Sequence, residues 1–96
     1  MNRDDRLRLG LVGCGGISRG VYVNLLTEFA ERATVVAVCD VIPERARERS
    51  EQFREAYRTR EDGAGIGAPR VYTDVARMVG DGGLDAVIVT TQPVMH

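Results

Sequence analysis

Val12-Gly13-Cys14-Gly15-Gly16-Ile17-Ser18 is the stretch that decides how this chain folds. Before it runs Leu7-Arg8-Leu9-Gly10-Leu11, short and largely apolar, which with Val12 reads as a first strand that Gly13 stops. After it, Ile17, Val21, Leu25, Phe29 and Ala33 recur at a four-residue step, which predicts a helix over Ser18 to Arg32 with one apolar face. A glycine-rich turn between a strand and a helix has a physical use. Gly13 permits the tight turn, and Gly15 lets the backbone approach a pyrophosphate with no Cβ in the way. The helix N-terminus then offers unpaired N–H groups and a partial positive charge to phosphates. The pattern G-x-G-x-x-G is met at two of its three glycines, and Ser18 takes the third position, where a small residue is needed for close helix–strand packing. Alone the pattern is weak, since a plain glycine-rich turn looks the same; the strand before it and the helix after it give it weight.

Outward from that turn, Thr34-Val35-Val36-Ala37-Val38-Cys39 is apolar, mostly β-branched and ended by Asp40, which reads as a strand buried on both faces, as in a parallel sheet. Pro43 suits the first turn of a helix, and Glu44 to Arg58 places Ala46, Ser50, Phe53 and Tyr57 on one face with mixed charge opposite. Residues 59–69 hold three Gly and one Pro and read as a loop. Val71 and Tyr72 make a very short strand, Asp74 N-caps a short helix through Val79, and Gly80, Gly82 and Gly83 end it. Ala86 to Thr90 is a fourth apolar strand, stopped by Gln92-Pro93. The order is βαβαβαβ, an α/β pattern that implies parallel pairing and right-handed crossovers. A reversal after two crossovers gives strand order 3-2-1-4, a partial doubly wound sheet of the Rossmann kind.

Asp40 lies 22 residues after Ser18, at the end of the second strand. A carboxylate there accepts from the ribose hydroxyls of an adenosine and repels a 2′-phosphate, which favours NAD over NADP. Its bland reading is a cap ahead of Pro43. Arg45, near the same pocket, has the opposite tendency toward a 2′-phosphate, or is simple solvated helix surface.

Composition narrows the function. At 96 residues there is room for one small domain, and 44% hydrophobic with 28% charged residues is ordinary for a water-soluble globular chain. A net charge of −1 gives no general attraction to nucleic acid or anionic membrane. No apolar run is long enough to span a bilayer, and the charged start, Met1-Asn2-Arg3-Asp4-Asp5-Arg6, lacks an apolar signal core, so a cytoplasmic setting is expected. Cys14 and Cys39 have no metal-ligand spacing and are too few for a disulfide framework. Cys14 sits in the turn, where a helix N-terminus lowers a thiol pKa, but filler is the better reading for it. The chain has no Lys, and its single His is the last residue, so two common proton-transfer groups are missing or terminal.

Four segments in order carry a resemblance: Val12 to Ser18; Val38-Cys39-Asp40 with Pro43-Glu44-Arg45-Ala46; Tyr72-Thr73-Asp74; and Asp85-Ala86-Val87 with Thr91-Gln92-Pro93-Val94-Met95-His96. From about Leu9 to the end the chain resembles the Gfo/Idh/MocA oxidoreductases. The resemblance implies an NAD(P)-binding Rossmann domain of a dehydrogenase or reductase acting on sugars or polyols. It implies that Thr91, Pro93 and His96 form a loop beside the cofactor, His96 not as a catalytic group. With Gly13, Gly15, Gly16, Ile17, Ser18, Asp40 and Arg45 these complete the expected cofactor-binding set; no catalytic residue and no metal ligand is expected. The chain departs from the family at Ser18, often Gly or Ala; at Asn24, where Pro is common; at Gln92, usually Pro; and in its long 59–69 loop. The family's Glu-Lys-Pro motif and its C-terminal substrate domain lie beyond the fourth strand. The expectation is therefore an incomplete domain over 1–96, inactive alone, with NAD as cofactor, NADP as the second candidate, and an exposed strand edge prone to self-association. A stand-alone nucleotide-binding or interaction module without catalysis is the alternative. A methyltransferase turn is less well met, because Leu11 stands where its acid belongs.

Overall fold

The computed structural model describes residues 6–13, 23, 25–60 and 66–89. Its elements are β1 (Leu7–Val12), β2 (Ala33–Cys39), α1 (Pro43–Arg58), β3 (Arg70–Tyr72), α2 (Val75–Gly80) and β4 (Ala86–Val89), with helical backbone also at Val23 and at 25–27. The four strands pair in parallel in the order β3-β2-β1-β4, as the alternating pattern predicted.

Two apolar clusters divide the sheet's faces. Leu9, Leu11, Val35 and Val38 pack with Val23 and Ala30 and with Ala46, Phe53 and Tyr57 of α1. Ala37 and Cys39 pack with Met78 of α2, supported by Val12, Tyr72 and Leu84. The face assignments of β2 skip a residue: Val35 and Val38 share one cluster although three apart. A register shift in the β1–β2 pairing accounts for it, because Leu9 pairs with Val35 and Gly10 with Ala37, leaving Val36 as an extra residue. Gly10 allows the second face to close; a Cβ there would meet Leu84 Cδ1 at 2.9 Å and Met78 Cε at 3.1 Å.

The face predicted for the first helix differs. Leu25 and Phe29 are 46% and 50% exposed, whereas Val23, Thr27 and Ala30 are buried and Leu26 packs against the core. A strict four-residue step advances about 400° and so drifts about 40° per step around a helix. The spacing 23, 26, 27, 30 stays on one side. Thr27 Oγ1 donates to Val23 O at 2.7 Å, which lets a polar residue sit inside. Residues 28–32 form turns and Ala33 already belongs to β2, so the helix ends short of Arg32. Ile17 and Val21 lie outside the described residues.

α1 buries Ala46, Ser50, Phe53 and Tyr57, the predicted face, and also Arg49. Ser50 Oγ donates to Pro69 O at 2.6 Å, tying the segment before β3 to the helix. β3 runs alongside only Ala37 to Cys39 of β2, and at Val35 the hydroxyl of Tyr57 accepts the backbone N–H at 2.9 Å. A side chain thus supplies the partner where that strand is too short to reach. Burial pushes the Tyr57 hydroxyl pKa up, against a smaller lowering by the Val35 N–H. Opposite this face, Glu51–Arg54 and Glu55–Arg58 pair at i, i+3 on the exposed surface.

Candidate cofactor-binding site

Parallel strands end on one side, so β1, β2 and β3 deliver Gly13, Asp40 and Thr73 to the same rim of the sheet, and β4 ends there too. The strand order reverses between β1 and β4, and at such a switch point the ends of the parallel strands leave a crevice.

At its centre is Gly13, with φ 89°. That region is strained for residues with a Cβ. Its N–H donates to Cys39 O at 2.9 Å, so Gly13 itself stays bonded to β2 just past the end of β1. The predicted Gly15, Gly16, Ile17 and Ser18 lie outside the described residues, as do Cys14, Thr91, Pro93 and His96.

Asp40 stands at the end of β2, and its N–H donates to Tyr72 O at 3.1 Å, which extends the β2–β3 ladder by one bond. The residue is 8% exposed. Its Oδ1 accepts the Ile42 N–H at 2.8 Å, an Asx-type turn that fixes the carboxylate's direction. The cap of α1 is Ile42 and has no side-chain cap bond, so Asp40 shapes the approach to the helix without capping it, and Pro43 begins the helix with no N–H to satisfy. Arg45 occupies the first turn of α1, and its side chain is exposed.

Two apolar residues at this rim escaped the sequence reading. Val41 is 83% exposed and Ile42 38%, directly after the carboxylate. Their signal was present only as two apolar residues between Asp40 and Pro43, which carry no periodicity. Cys39 is buried, and its thiol is pushed up by that burial first and then by the charges of Asp40 and Asp74. It stays protonated at neutral pH and supplies no nucleophile. Among the described residues no group of His, Cys, Asp and Glu is arranged to hold a metal ion, and no helix is long and apolar enough to cross a membrane.

A positive-φ glycine after β1, a directed carboxylate after the neighbouring strand and exposed apolar side chains beside it fit an adenosine-containing dinucleotide. Residues 7–96 match the family model described as an oxidoreductase family with an NAD-binding Rossmann fold. The chain is 33% identical over 96 residues to an inositol 2-dehydrogenase of Acidothermus cellulolyticus, covering all of this chain and 24% of that protein. Among solved structures it is similar to the WlbA dehydrogenase of Chromobacterium violaceum in complex with NADH and UDP-GlcNAcA, at TM-score 0.70 and 26% identity over 94% of this chain and 22% of that one. The WlbA dehydrogenase of Bordetella pertussis, with the same two ligands, gives TM-score 0.69 and 26% identity over 90% of this chain and 22% of that one. The chain therefore spans about a quarter of these relatives' length. It belongs to the Gfo/Idh/MocA oxidoreductase family, whose NAD-binding Rossmann fold it carries.

Proposed function

We propose that this chain holds NAD across the ends of β1, β2 and β4 as the cofactor-binding part of an oxidoreductase acting on a sugar or polyol. The observation that carries this is the pair of Gly13, at φ 89° and bonded to Cys39, and Asp40, held by the Ile42 amide. In this reading the turn after β1 receives the pyrophosphate and Asp40 accepts from the adenosine ribose. Val41 and Ile42 give the adenine an apolar surface, and Gly15, Gly16, Ile17, Ser18, Thr91, Pro93 and His96 complete the site. Bound NAD supplies a hydride acceptor. NAD is favoured over NADP because a 2′-phosphate would face the Asp40 charge; Arg45 is the group nearby with the opposite sign. Titrating the labelled chain with NAD and following its amide resonances tests this. Shifts clustered at Gly13, Asp40 and the α1 start are expected; shifts scattered over the molecule, or none, would end the proposal.

The 96 residues are proposed to be an incomplete catalytic unit. They contain no lysine for the acid–base step that the resemblance assigns to a Glu-Lys-Pro motif. No dehydrogenase activity is expected from the pure chain with any sugar or polyol, and steady substrate-dependent NADH formation would contradict that.

Self-association is proposed at β4. Among the described residues it pairs only with β1 and no strand lies on its outer side, and its Ala-Val-Ile-Val carries no charge or proline to discourage a second strand. Sedimentation is expected to show mass rising with concentration. A single monomeric species across a hundredfold range of about 10 μM to 1 mM speaks against it.

A further inference from the structure

We infer that Asp74, two residues past the end of β3, is a second acid that sets this site against NADP. The inference rests on the proposed NAD site and deepens it. Register places the residue: Cys39 pairs with Tyr72, and Asp40 bonds to Tyr72 O, so the chain runs from that shared level through Thr73 to Asp74 beside the Asp40 turn. The two carboxylates follow adjacent parallel strands, Asp40 directly after β2 and Asp74 two residues after β3, and after burial the charge of each raises the Cys39 thiol pKa. Asp74 is exposed, so its charge faces the solvent rim and not the core. One oxygen accepts the Ala76 N–H at 3.1 Å, which fixes the side chain at the start of α2.

A 2′-phosphate on a ribose bound at Asp40 lies on this rim and carries close to two negative charges. Asp74 repels it at longer range than Asp40 does, with solvent between. At a separation of about 8 Å in high dielectric, such a pair changes affinity by roughly three- to tenfold at low salt, and less as salt screens it. A ribose with a free 2′-hydroxyl feels almost none of this. Arg45 on the first turn of α1 works in the opposite sense, so the two acids hold the balance toward NAD.

Asp74→Asn separates charge from structure, because asparagine N-caps a helix as well as aspartate does. Asp74→Ser, also a capping residue, is the companion in case the amide disturbs α2. The probes are NAD and NADP, titrated separately into parent chain and variants at low and at physiological salt. NADP binding is expected to tighten about three- to tenfold in both variants at low salt, with the gain shrinking at higher salt and NAD changing less than twofold. Unchanged NADP affinity, or equal changes for both dinucleotides, overturns the role of Asp74. Asp40→Ser run in parallel distinguishes the failures: if it shifts the NAD/NADP preference while the Asp74 variants do not, the site stands and Asp74 has no part in it. If the parent chain binds neither dinucleotide, the site itself is wrong and this inference goes with it.

Discussion

Asp40→Ser is expected to weaken NAD binding roughly ten- to a hundredfold and to turn the preference toward NADP. A hydrogen bond to a charged acceptor contributes about 1.5–3 kcal/mol, which converts to that range. Serine is the informative replacement, because its hydroxyl can still accept the Ile42 N–H that Oδ1 now holds at 2.8 Å. The turn into α1 then survives while the charge goes, and Arg45 remains to attract a 2′-phosphate. Gly13→Val is the companion and should remove binding of both dinucleotides. A β-branched residue at φ 89° is an outlier, and the turn must move to relieve it. Its measurement needs a folded chain, so Gly13→Ala, strained at the same φ with less bulk, runs beside it, and amide dispersion reports the fold. If Asp40→Ser leaves the NAD/NADP ratio unchanged while Gly13→Val abolishes binding, Asp40 only shapes the turn. If Gly13→Val binds NAD normally with a native spectrum, the turn after β1 is not the pyrophosphate site.

The fold was legible because each strand of the sheet announces itself locally. β1 ends where a glycine stops an apolar run, β2 is too continuously apolar to be half-exposed, and α1 repeats its buried residues at helical spacing. The relation between these pieces follows from general rules of crossover handedness and strand pairing. What was misread is long-range in origin. The register shift beside Val36 depends on how β1 meets β2, and no local pattern marks it. Leu25 and Phe29 satisfied a four-residue step yet face solvent, because the sheet, not the helix, selects the buried side. The left-handed backbone of Gly13 and the place of Asp40 at the end of β2 were legible, since backbone freedom and strand-end charge are properties of single residues; their part in binding is proposed. The register that brings the segment after β3 alongside the Asp40 turn was not legible, for it exists only once β3 lies against β2.

Tyr57 ties the first face of the sheet to α1 through both its ring and its hydroxyl. Its ring is fully buried and stacks on Phe53 with centroids 6.0 Å apart, and its hydroxyl holds the Val35 N–H. Tyr57→Phe keeps the ring and strands that N–H, a loss of about 1–3 kcal/mol. In a domain this size each 1 kcal/mol lowers Tm by about 4–8 °C. Tyr57→Ala also empties the space of the ring, and aromatic-to-alanine changes in cores cost about 3–5 kcal/mol. Set against a total of roughly 5–10 kcal/mol for a small domain, this removes about a third or more of the stability. Alkali provides an independent check. Burial raises the Tyr57 pKa in the folded state, so above the ordinary tyrosine value near 10 the unfolded chain releases a proton that the folded chain keeps. The unfolded state then binds fewer protons, and stability falls as pH rises; it is fully present below that ordinary value and is lost as pH climbs toward the raised one. Denaturant melts from pH 8 to 11 should therefore show a decline for the parent chain that is smaller in Tyr57→Phe, the other two tyrosines being common to both. An equal decline in both proteins would mean that Tyr57 titrates alike folded and unfolded. Tyr57→Phe melting at the parent temperature would mean that Val35 finds another acceptor.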